Sequence, residues 1–475
     1  MTTWRARFAS TALTLSASIA GACAGGAPLA PEDLRCPDCS LVLVSIDTLR
    51  ADHLGCYGYS RPTSPTIDAL ARESILFEAA YAPSYHTADS HMSLFTGVYP
   101  SVHRVRNVAH ARDSNALPPS IETFTEKLAA AGFATAGFHG GGNVSGPYGF
   151  ARGFSTYRST LDDLAPAVDW LGRRRALPRQ RFFLFVHTFR THDPYLPDPP
   201  YNRIWLPDGS GDVISDPKEF ESLLPAAEFG ARRKLFWSRV DPENPSDRET
   251  IVALYDGAIR QVDDEIGPLL TSVAALPQRT LVVLVSDHGE EFYEHGGNLH
   301  DQVYEETLRV PFLIRLPDRR GAGTRIPWRA SLVDLAPTIL DLLGVDRLSR
   351  AQGRSLVPHL PAGSADPKRV ILAEKVVGAS TGVLGTHALK QALLAGDEKL
   401  ILWPTAPRQL FDLLRDPGEK LDLAKERGAS MKRLSEALDR RNLLNSELWR
   451  ALPRSESGVR LDAETVERLG ALGYL

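Results

Sequence analysis

Two segments of the chain place side chains that could bind a divalent cation directly after runs of apolar residues. Asp47 follows the run 41–46, and Asp287 and His288 follow the run 281–286. A carboxylate at the end of a buried strand is costly unless it is paired or bound to a metal. Carboxylate oxygens and an imidazole nitrogen are suitable ligands for a divalent cation. Each segment also has a simpler interpretation, in which Asp47 caps a helix, Asp287 caps a turn and His288 packs under a loop.

A third candidate group is the hydroxyl of Thr87. Residues 88–95 have helical character, which would place Thr87 at a helix N-terminus. Unpaired backbone N–H groups and the helix dipole favour negative charge at that position. A metal ion in contact with the Thr87 oxygen would further favour the alkoxide, the activated form of a poor nucleophile. The alternative is that Thr87 is the N-cap of this helix, which is a common role for threonine.

The segments that would position these side chains follow the pattern of a mainly parallel α/β sheet, because short apolar runs alternate with helical stretches. We predict buried strands at 41–46, 135–139, 182–187, 281–286 and 312–316, and helices at 65–73, 120–131 and 251–276. Three of these strands end on polar residues, which are Asp47, His187, and Asp287 with His288. Ligands of open α/β sheets collect beyond the carboxyl ends of the strands. The chemistry is therefore expected at this edge of the sheet.

The second half of the pattern is less regular. Residues 208–247 are charged, contain several Pro and Gly residues, and predict an insertion or lid rather than sheet. Beyond Gly344, strand-like pieces at 370–373 and 399–403 precede an amphipathic helix pattern over 430–452. Residues 461–475 are expected to form a closing helix and a short tail.

Three motifs give the chain a family resemblance. The segment SYHTADSHMSLFTGVYP (84–100) resembles the signature of the sulfatase branch of the alkaline phosphatase superfamily, C/S-x-P-S-R followed by a helix ending in L-T-G. The run SDHGEEFYEHGGNLHDQVYEETLRVPFLIR (286–315) is similar to the S-D-H-G-E…E-H-G…Y-E-E…R-V-P stretch of that family. LFDLLRDPGE (410–419) resembles a recurring segment of its smaller subdomain. The resemblance covers residues 40–345 well and the C-terminal part loosely.

The resemblance implies an α/β fold with a large, mostly parallel sheet flanked by helices and a smaller C-terminal α+β subdomain. We accordingly predict a catalytic domain over 36–345 and a C-terminal subdomain with a helical tail over 346–475. When the signature is aligned on its terminal Thr-Gly, the nucleophile position falls on Thr87. Asp47, Thr87, Asp287 and His288 then match, one by one, the metal and nucleophile set of threonine members of this superfamily.

Histidines occupy further family positions. His300 stands where many sulfatases carry a Lys, so it could bind the ester oxygen or protonate the leaving group. His192, in HTFRTHDPYLP (187–197), matches the substrate-facing His of the H-x-P-Y segment. The resemblance gives weaker roles to the remaining residues: His187 could reach the anion, His91 could hydrogen-bond the nucleophile loop, His86 and His295 are less certain, and Glu305 and Glu306 are expected to be structural.

Four positions depart from the family pattern. Thr87 replaces the signature's Cys or Ser, Asp89 its Pro, His91 its Arg, and Thr48 the second Asp of a paired Asp-Asp. Sulfatases oxidise the Cys or Ser to formylglycine, and a threonine cannot become that aldehyde. The sequence therefore indicates a sulfatase scaffold whose reactive group is a plain hydroxyl.

The expected activity is hydrolysis of a sulfate or phosphate ester by attack of Thr87, with one divalent cation (Ca²⁺, Mn²⁺, Zn²⁺ or Mg²⁺) as cofactor. A formylglycine hydrate can expel sulfate by carbon–oxygen cleavage, whereas a threonine ester would need attack by water at sulfur. We therefore favour phosphate or phosphonate esters. His187, His192, Asp193 and His300 could supply parts of a second metal site, but their spacing does not establish one. The alternatives are a transferase of a phosphoethanolamine-type group and a non-catalytic binding protein on the same fold.

The net charge and the N-terminal sequence restrict the possible partners and location of the protein. The 475 residues carry a net charge of −4, which gives no basic surface for nucleic acid. Arg5 and Arg7 precede a short apolar stretch that runs into Ala20-Gly21-Ala22-Cys23, the pattern of a secretory signal over 1–23. We expect export to the periplasm or outer surface, with attachment to a membrane through a lipid on Cys23 as an open alternative.

Cys36 and Cys39 form a closely spaced pair just before the first predicted strand. The pair could be a metal half-site, a redox pair or a local disulfide. In an exported chain we expect the disulfide.

Overall fold

The structure is a computed structural model that describes residues 30–106, 115–208, 212–223, 229–360, 369–377 and 388–453. The predicted signal over 1–23, including Cys23, and the predicted closing helix at 461–475 lie outside these residues. They remain predictions.

The strands are, in chain order, β1 (Ser40–Ile46), β2 (Ile75–Phe77), β3 (Ala80–Tyr81), β4 (Ala134–His139), β5 (Thr156–Ser159), β6 (Phe182–Thr188), β7 (Thr280–Val285), β8 (Glu291–Phe292), β9 (Asn298–Leu299), β10 (Arg309–Val310), β11 (Phe312–Arg315), β12 (Arg325–Ile326), β13 (Ala330–Ser331), β14 (Val370–Val377), β15 (Ala388–Ala395), β16 (Glu398–Leu402) and β17 (Gln409–Asp412). The α-helices are α1 (Pro31–Leu34), α2 (Pro65–Arg72), α3 (Thr87–Thr96), α4 (Pro100–His103), α5 (Phe124–Ala130), α6 (Ala165–Arg174), α7 (Pro217–Leu223), α8 (Phe229–Trp237), α9 (Pro245–Ala274), α10 (Glu305–Leu308), α11 (Leu335–Leu342) and α12 (Gly428–Arg450).

An eight-stranded sheet of order β12-β2-β11-β7-β1-β6-β4-β5 forms the centre of the larger part of the molecule. Strands β7, β1, β6, β4 and β5 run parallel to one another, and β11 is antiparallel to both of its neighbours. The expected α/β fold with a mostly parallel sheet is confirmed. Because β1 lies between β7 and β6, the residues that follow these strands meet at one edge of the sheet.

Both faces of the central sheet are buried, as the continuous apolar runs predict. Leu41 and Leu43 of β1 face one core, which is closed by α3, α5 and α11. Val42, Val44 and Ile46 face the opposite core, which is closed by α2, α6 and α9. The period of two along β1 thus fixes which side each residue faces, and it leaves Asp47 at the strand's carboxyl end.

Helix α5 is shorter than predicted, since it begins at Phe124 rather than near Ser120. Thr123 is its N-cap: the Thr123 hydroxyl accepts from the backbone N–H of Glu126, and the Glu126 carboxylate accepts from the backbone N–H of Thr123. This capping box starts the helix after the residues that the apolar pattern includes.

The segment 208–247 contains helices α7 and α8 and the start of α9, and its described residues form no strand. This agrees with the prediction of an insertion rather than sheet. The Trp237 indole of α8 donates to Asp193 Oδ2 at 3.0 Å, which connects the insertion to the carboxyl edge of the sheet.

The C-terminal part is a four-stranded antiparallel sheet of order β14-β15-β16-β17, with α12 packed against it through Leu434 and Leu438. The smaller C-terminal subdomain is therefore confirmed, although β15 and β17 were not predicted as strands. At the other end of the described chain, Cys36 and Cys39 form the expected disulfide. Among the described residues, no helix has both the length and the apolar character needed to cross a membrane.

Candidate active site

The ends of neighbouring strands bring three of the predicted ligands together. Asp47 follows β1, and Asp287 and His288 lie just beyond β7, its parallel neighbour. One ligand atom of each of the three lies within 4.8 Å of the others, and all three side chains are fully buried. The sheet topology, rather than sequence proximity, creates this cluster.

The carboxylates of this cluster have more oxygen atoms than the described residues provide hydrogen-bond donors for. Asp47 Oδ1 and Asp287 Oδ2 accept no hydrogen bond from the described residues, although both atoms are buried. Burial and the nearby Asp287 carboxylate oppose ionisation of Asp47, but neighbouring histidines, His187 first among them, hold its pKa below the ordinary value. Two buried, ionised carboxylates with orphaned oxygens fit a divalent cation.

His288 offers a nitrogen lone pair to the same place. Its Nδ1 lies 2.9 Å from the carbonyl oxygen of Gly289, which can only accept, so Nδ1 carries the hydrogen. Burial lowers the pKa of His288, which favours the neutral ring. The Nε2 atom therefore faces Asp287 Oδ2 at 3.4 Å and Asp47 Oδ1 at 3.7 Å with its lone pair. A ring fixed by a backbone carbonyl in this way is typical of a metal-binding histidine.

Thr87 lies beside this cluster at the start of α3. Its Oγ1 is 3.4 Å from Asp47 Oδ2 and 3.4 Å from His288 Nε2. The N-cap of α3 is His86, and Thr87 is the first helical residue, so the alternative that Thr87 is an N-cap is wrong. The helix N-terminus is held against the cluster because the Ser90 hydroxyl donates to the Asp287 carbonyl oxygen at 2.6 Å.

Thr48, at the position of the family's second Asp, has a structural role at the site. It has a φ of 54°, a left-handed conformation that is rare for a β-branched residue. Its backbone N–H points toward Asp287 Oδ1 at 3.3 Å, and its carbonyl oxygen accepts from the Tyr255 hydroxyl at 2.7 Å. The backbone N–H of Thr48 therefore occupies one oxygen of the Asp287 carboxylate, and the strained conformation of Thr48 places it there.

His91 and His187 flank the cluster. His91 Nδ1 lies 3.0 Å from the carbonyl oxygen of Thr87 and 3.3 Å from Asp287 Oδ2, which agrees with the expected contact to the nucleophile loop. His187 Nε2 lies 3.3 Å from Asp47 Oδ2. Both rings are fully buried. Among the described residues, imidazoles and no Lys or Arg lie within ion-pair distance of the two carboxylates.

A second group of titratable residues forms the adjacent wall. The ring of His300 lies 4.6 Å from that of His288 and 5.2 Å from that of His192 between centroids. Glu290 Oε1 lies 3.1 Å from His300 Nδ1, and Asp193 Oδ1 lies 3.2 Å from His192 Nδ1. Both histidines predicted to contact substrate are thus brought next to Thr87 and its partners.

The charge states in this wall differ. Burial and the neighbouring Asp193 raise the pKa of Glu290 to about 8. Burial, and then His192, lower the pKa of His300 to about 4. Burial opposes the charged form of His192, but the carboxylates of Asp193 and Asp47 raise its pKa above the ordinary value. His192 is therefore the more readily protonated of the two rings, and His300 is neutral near pH 7.

The remaining motif residues are divided between the site and its surroundings. His295 Nδ1 pairs with Glu306 at 2.7 Å, and its ring stacks on Tyr304, so this histidine belongs to the packing below the site. Glu305 pairs with Lys399 at 3.0 Å. His86 lies at the site, where its Nδ1 is 3.1 Å from Asp89 Oδ2.

The sequence analysis gave no role to Glu290, a residue of the motif, and drew Asp193 only into a two-metal alternative. The signal for both was present, because each lies within two residues of a predicted histidine. Lys375, whose Nζ lies 2.7 Å from Asp89 Oδ2, had no such signal, since it comes from the C-terminal sheet.

Family models match most of the chain. A model described as sulfatase matches residues 40–345, and one described as N-sulphoglucosamine sulphohydrolase, C-terminal, matches residues 294–443. Arylsulfatase K of Bos taurus is 28% identical over 283 residues, which are 54% of this chain and 50% of that protein. The chain spans about half the length of the arylsulfatases K that it matches.

Solved structures share the fold. The phosphonate monoester hydrolase of Silicibacter pomeroyi superposes with a TM-score of 0.69 at 21% identity, over 89% of this chain and 99% of that one. A protein solved in complex with its substrate D-glucosamine-2-N,6-O-disulfate superposes with a TM-score of 0.68 at 20% identity, over 86% of this chain and 98% of that one.

Proposed function

The chain belongs to the sulfatase family, and we propose that it is a metal-dependent hydrolase of phosphate esters that uses the Thr87 hydroxyl as its nucleophile. The observation that carries this proposal is the position of Thr87 Oγ1, 3.4 Å from both Asp47 Oδ2 and His288 Nε2 at a helix N-terminus. A hydroxyl that only capped the helix would bond to a backbone N–H instead.

Asp47, Asp287, His288 and the Thr87 oxygen would hold a single divalent cation. When bound, the cation would lower the pKa of the Thr87 hydroxyl and offset negative charge on the transferred group. The orphaned atoms Asp47 Oδ1 and Asp287 Oδ2 support this assignment, because they lack donors among the described residues. Mn²⁺ and Zn²⁺ suit a set of three oxygens and one imidazole, and Ca²⁺ and Mg²⁺ also bind such oxygens.

The chain's own groups account for the proton transfers. The Thr87 hydroxyl attacks phosphorus in line with the departing oxygen and transfers its proton to Asp47 Oδ2, which returns it to Oγ1 when the threonine ester is hydrolysed. The new Oγ1–P bond forms as the P–O bond to the leaving group breaks. His192, whose pKa is raised by the carboxylates of Asp193 and Asp47, donates a proton to the leaving oxygen and later takes one from the water that hydrolyses the threonine ester. His300, which is neutral, would hydrogen-bond the ester oxygen.

A sulfate ester is the second candidate substrate. Arylsulfatases and a structural neighbour that binds a disulfated glucosamine favour it. The phosphonate monoester hydrolase shows that the same fold also acts on phosphorus. The chemical argument favours phosphorus here, because an ordinary threonine sulfate cannot collapse by carbon–oxygen cleavage as a formylglycine hydrate does.

Three nitrophenyl esters test the proposal: a phosphate monoester, a phosphate diester and a sulfate. Each is offered to the wild-type protein and to Thr87→Ala and Thr87→Ser, with Ca²⁺, Mn²⁺, Zn²⁺ or Mg²⁺ in turn. We expect phosphoester turnover that falls by about 10⁴-fold in Thr87→Ala and persists in Thr87→Ser, which keeps a hydroxyl.

The remaining outcomes separate the alternatives. Sulfate turnover that depends on Thr87 would replace phosphate by sulfate in the proposal. Turnover that is unchanged in Thr87→Ala would overturn the nucleophile assignment. If no ester is cleaved but a phosphorylated acceptor forms, the protein is a transferase. If neither product forms, it is a binding protein.

A further inference from the structure

Strand β14 of the C-terminal sheet contacts the segment that carries the nucleophile at three points. The backbone N–H of Glu374 donates to the Pro83 carbonyl oxygen at 2.9 Å, before the helix. The Glu374 carboxylate accepts from the backbone N–H of Ser101 at 2.8 Å, after the helix. Between them, Lys375 Nζ lies 2.7 Å from Asp89 Oδ2 in the first turn of α3.

The ion pair between Lys375 and Asp89 is the contact nearest to the nucleophile. Asp89 is two residues from Thr87 and is 3% exposed, and the Lys375 side chain is 13% exposed. The same Asp89 oxygen also lies 3.1 Å from Nδ1 of His86, the N-cap of α3. Within the described residues, Lys375 is the only Lys or Arg within 4 Å of this carboxylate.

The ion pair between Lys375 and Asp89 can hold the first turn of α3 in place, because breaking it is energetically costly. Removing one partner of a buried pair leaves the other charge uncompensated. With Lys375 gone, the Asp89 carboxylate would have to move toward solvent, and the first turn of α3 would move with it. Misplacement of a reacting group by about 1 Å can cost about 10²-fold in rate.

We propose that Lys375 is a positioning residue for Thr87, so that the C-terminal sheet completes the active site by fixing the first turn of the nucleophile helix. The proposal rests on the proposed function in assigning a reaction to Thr87. It also gives a reason for Asp89, which stands where the family signature has a Pro: the carboxylate is the attachment point for the lysine.

Lys399 provides a matched control. It lies on β16 of the same sheet, is fully buried, and its Nζ lies 3.0 Å from Glu305 Oε1 and 2.9 Å from Glu419 Oε1. Like Lys375, it joins the C-terminal sheet to a carboxylate of the larger part. Neither of its partners forms a hydrogen bond or an ion pair with a described residue of the nucleophile helix.

The experiment compares Lys375→Met, Lys375→Arg and Lys399→Met in the full-length protein, with two measurements on each. The first is amide hydrogen exchange of residues 87–96, which needs no activity. The second is kcat and KM for the ester that the wild-type protein hydrolyses fastest. We expect faster exchange in these residues and a fall in kcat of about tenfold to a hundredfold in Lys375→Met, with KM little changed.

Lys375→Arg should recover most of both losses. Lys399→Met should keep kcat, and any faster exchange in it should be spread over the fold rather than concentrated in residues 87–96. Asp89→Asn combined with Lys375→Met should be closer to wild type than Lys375→Met alone, because the uncompensated charge is removed. Unchanged exchange in Lys375→Met, or faster exchange with unchanged kcat, would overturn the proposal. If the wild-type protein cleaves no ester, the proposed function fails, and the exchange result alone then decides whether Lys375 fixes the helix.

Discussion

Two clusters of carboxylates in this molecule are compensated by different groups. The junction cluster consists of Lys399, Glu305 and Glu419, and in it the chain itself supplies the cation, at 2.9–3.0 Å from both carboxylates. The catalytic cluster consists of Asp47, Thr87, Asp287 and His288. There the described residues within ion-pair distance of the two carboxylates are histidines alone.

This difference indicates that the junction cluster has a structural role and the catalytic cluster a chemical one. Buried carboxylates need compensation wherever they lie. In the junction cluster a lysine provides it permanently, which connects the C-terminal sheet to the larger part. In the catalytic cluster no Lys or Arg of the described residues lies within ion-pair distance of the carboxylates, so the site is suited to a bound cation and to a substrate anion. Replacing a charged group should therefore lower activity in the catalytic cluster and should leave activity nearly unchanged in the junction cluster, where stability depends on the lysine.

The largest expected contrast comes from exchanging a carboxylate for an amide in each cluster. Asp287→Asn should lower kcat/KM by at least about 10³-fold and reduce bound metal, because one of the carboxylates that would hold the cation is lost. Glu305→Gln should leave both within about twofold of wild type. Metal analysis of the purified variants and initial rates on the best ester measure this. Equal metal content in the wild type and Asp287→Asn would contradict the assignment of the site.

A smaller contrast separates a histidine of the site from one below it. His192→Gln should lower the single-turnover rate of threonine ester formation by about 10²-fold to 10³-fold for substrates with a poor leaving group, because the departing oxygen needs a proton in that step. Esters with an acidic leaving group should lose much less. His295→Gln, whose ring pairs with Glu306 away from Thr87, should leave both classes of ester unaffected. An equal loss for good and poor leaving groups would show that His192 acts other than as the acid.

The smallest effect on turnover is expected from the junction lysine. Lys399→Met should keep kcat of the folded protein within about twofold, since its partners do not touch the catalytic cluster. Its free energy of unfolding should fall by about 3–5 kcal/mol, because the buried Glu419 and the partly buried Glu305 lose the cation that pairs with both. Chemical denaturation followed by fluorescence measures the second quantity. A variant with unchanged stability but impaired turnover would reverse the roles that we assign to the two clusters.

The sequence predicts the catalytic cluster better than its surroundings, for a physical reason. Asp47 and Asp287 each follow a run of apolar residues, and a charge at the end of a buried strand signals a ligand site wherever the strands are neighbours. The position of Thr87 at a helix start follows from the helical character of the next residues. These signals are local, and the parallel sheet brings them together.

The parts that could not be predicted depend on distant partners. β15 (ALKQALLA) is rich in residues that favour helices, and it is a strand because β14 and β16 pair with both of its edges. Lys375 lies in no recognisable motif, and its role depends on the ion pair with Asp89, which is far away in sequence. The raised pKa of His192 and the lowered pKa of His300 likewise depend on burial and on the charged groups that each ring meets in the fold.

The most direct test of the account is to stop turnover of a phosphate monoester with acid and to search for a covalent intermediate by peptide mass spectrometry. We predict a phosphoryl group on Thr87 in the wild-type protein and on the serine of Thr87→Ser, and none in Thr87→Ala, which should also be inactive. Hydrolysis that continues at the wild-type rate in Thr87→Ala, or a phosphoryl group on another residue, would contradict the central claim that Thr87 is the nucleophile.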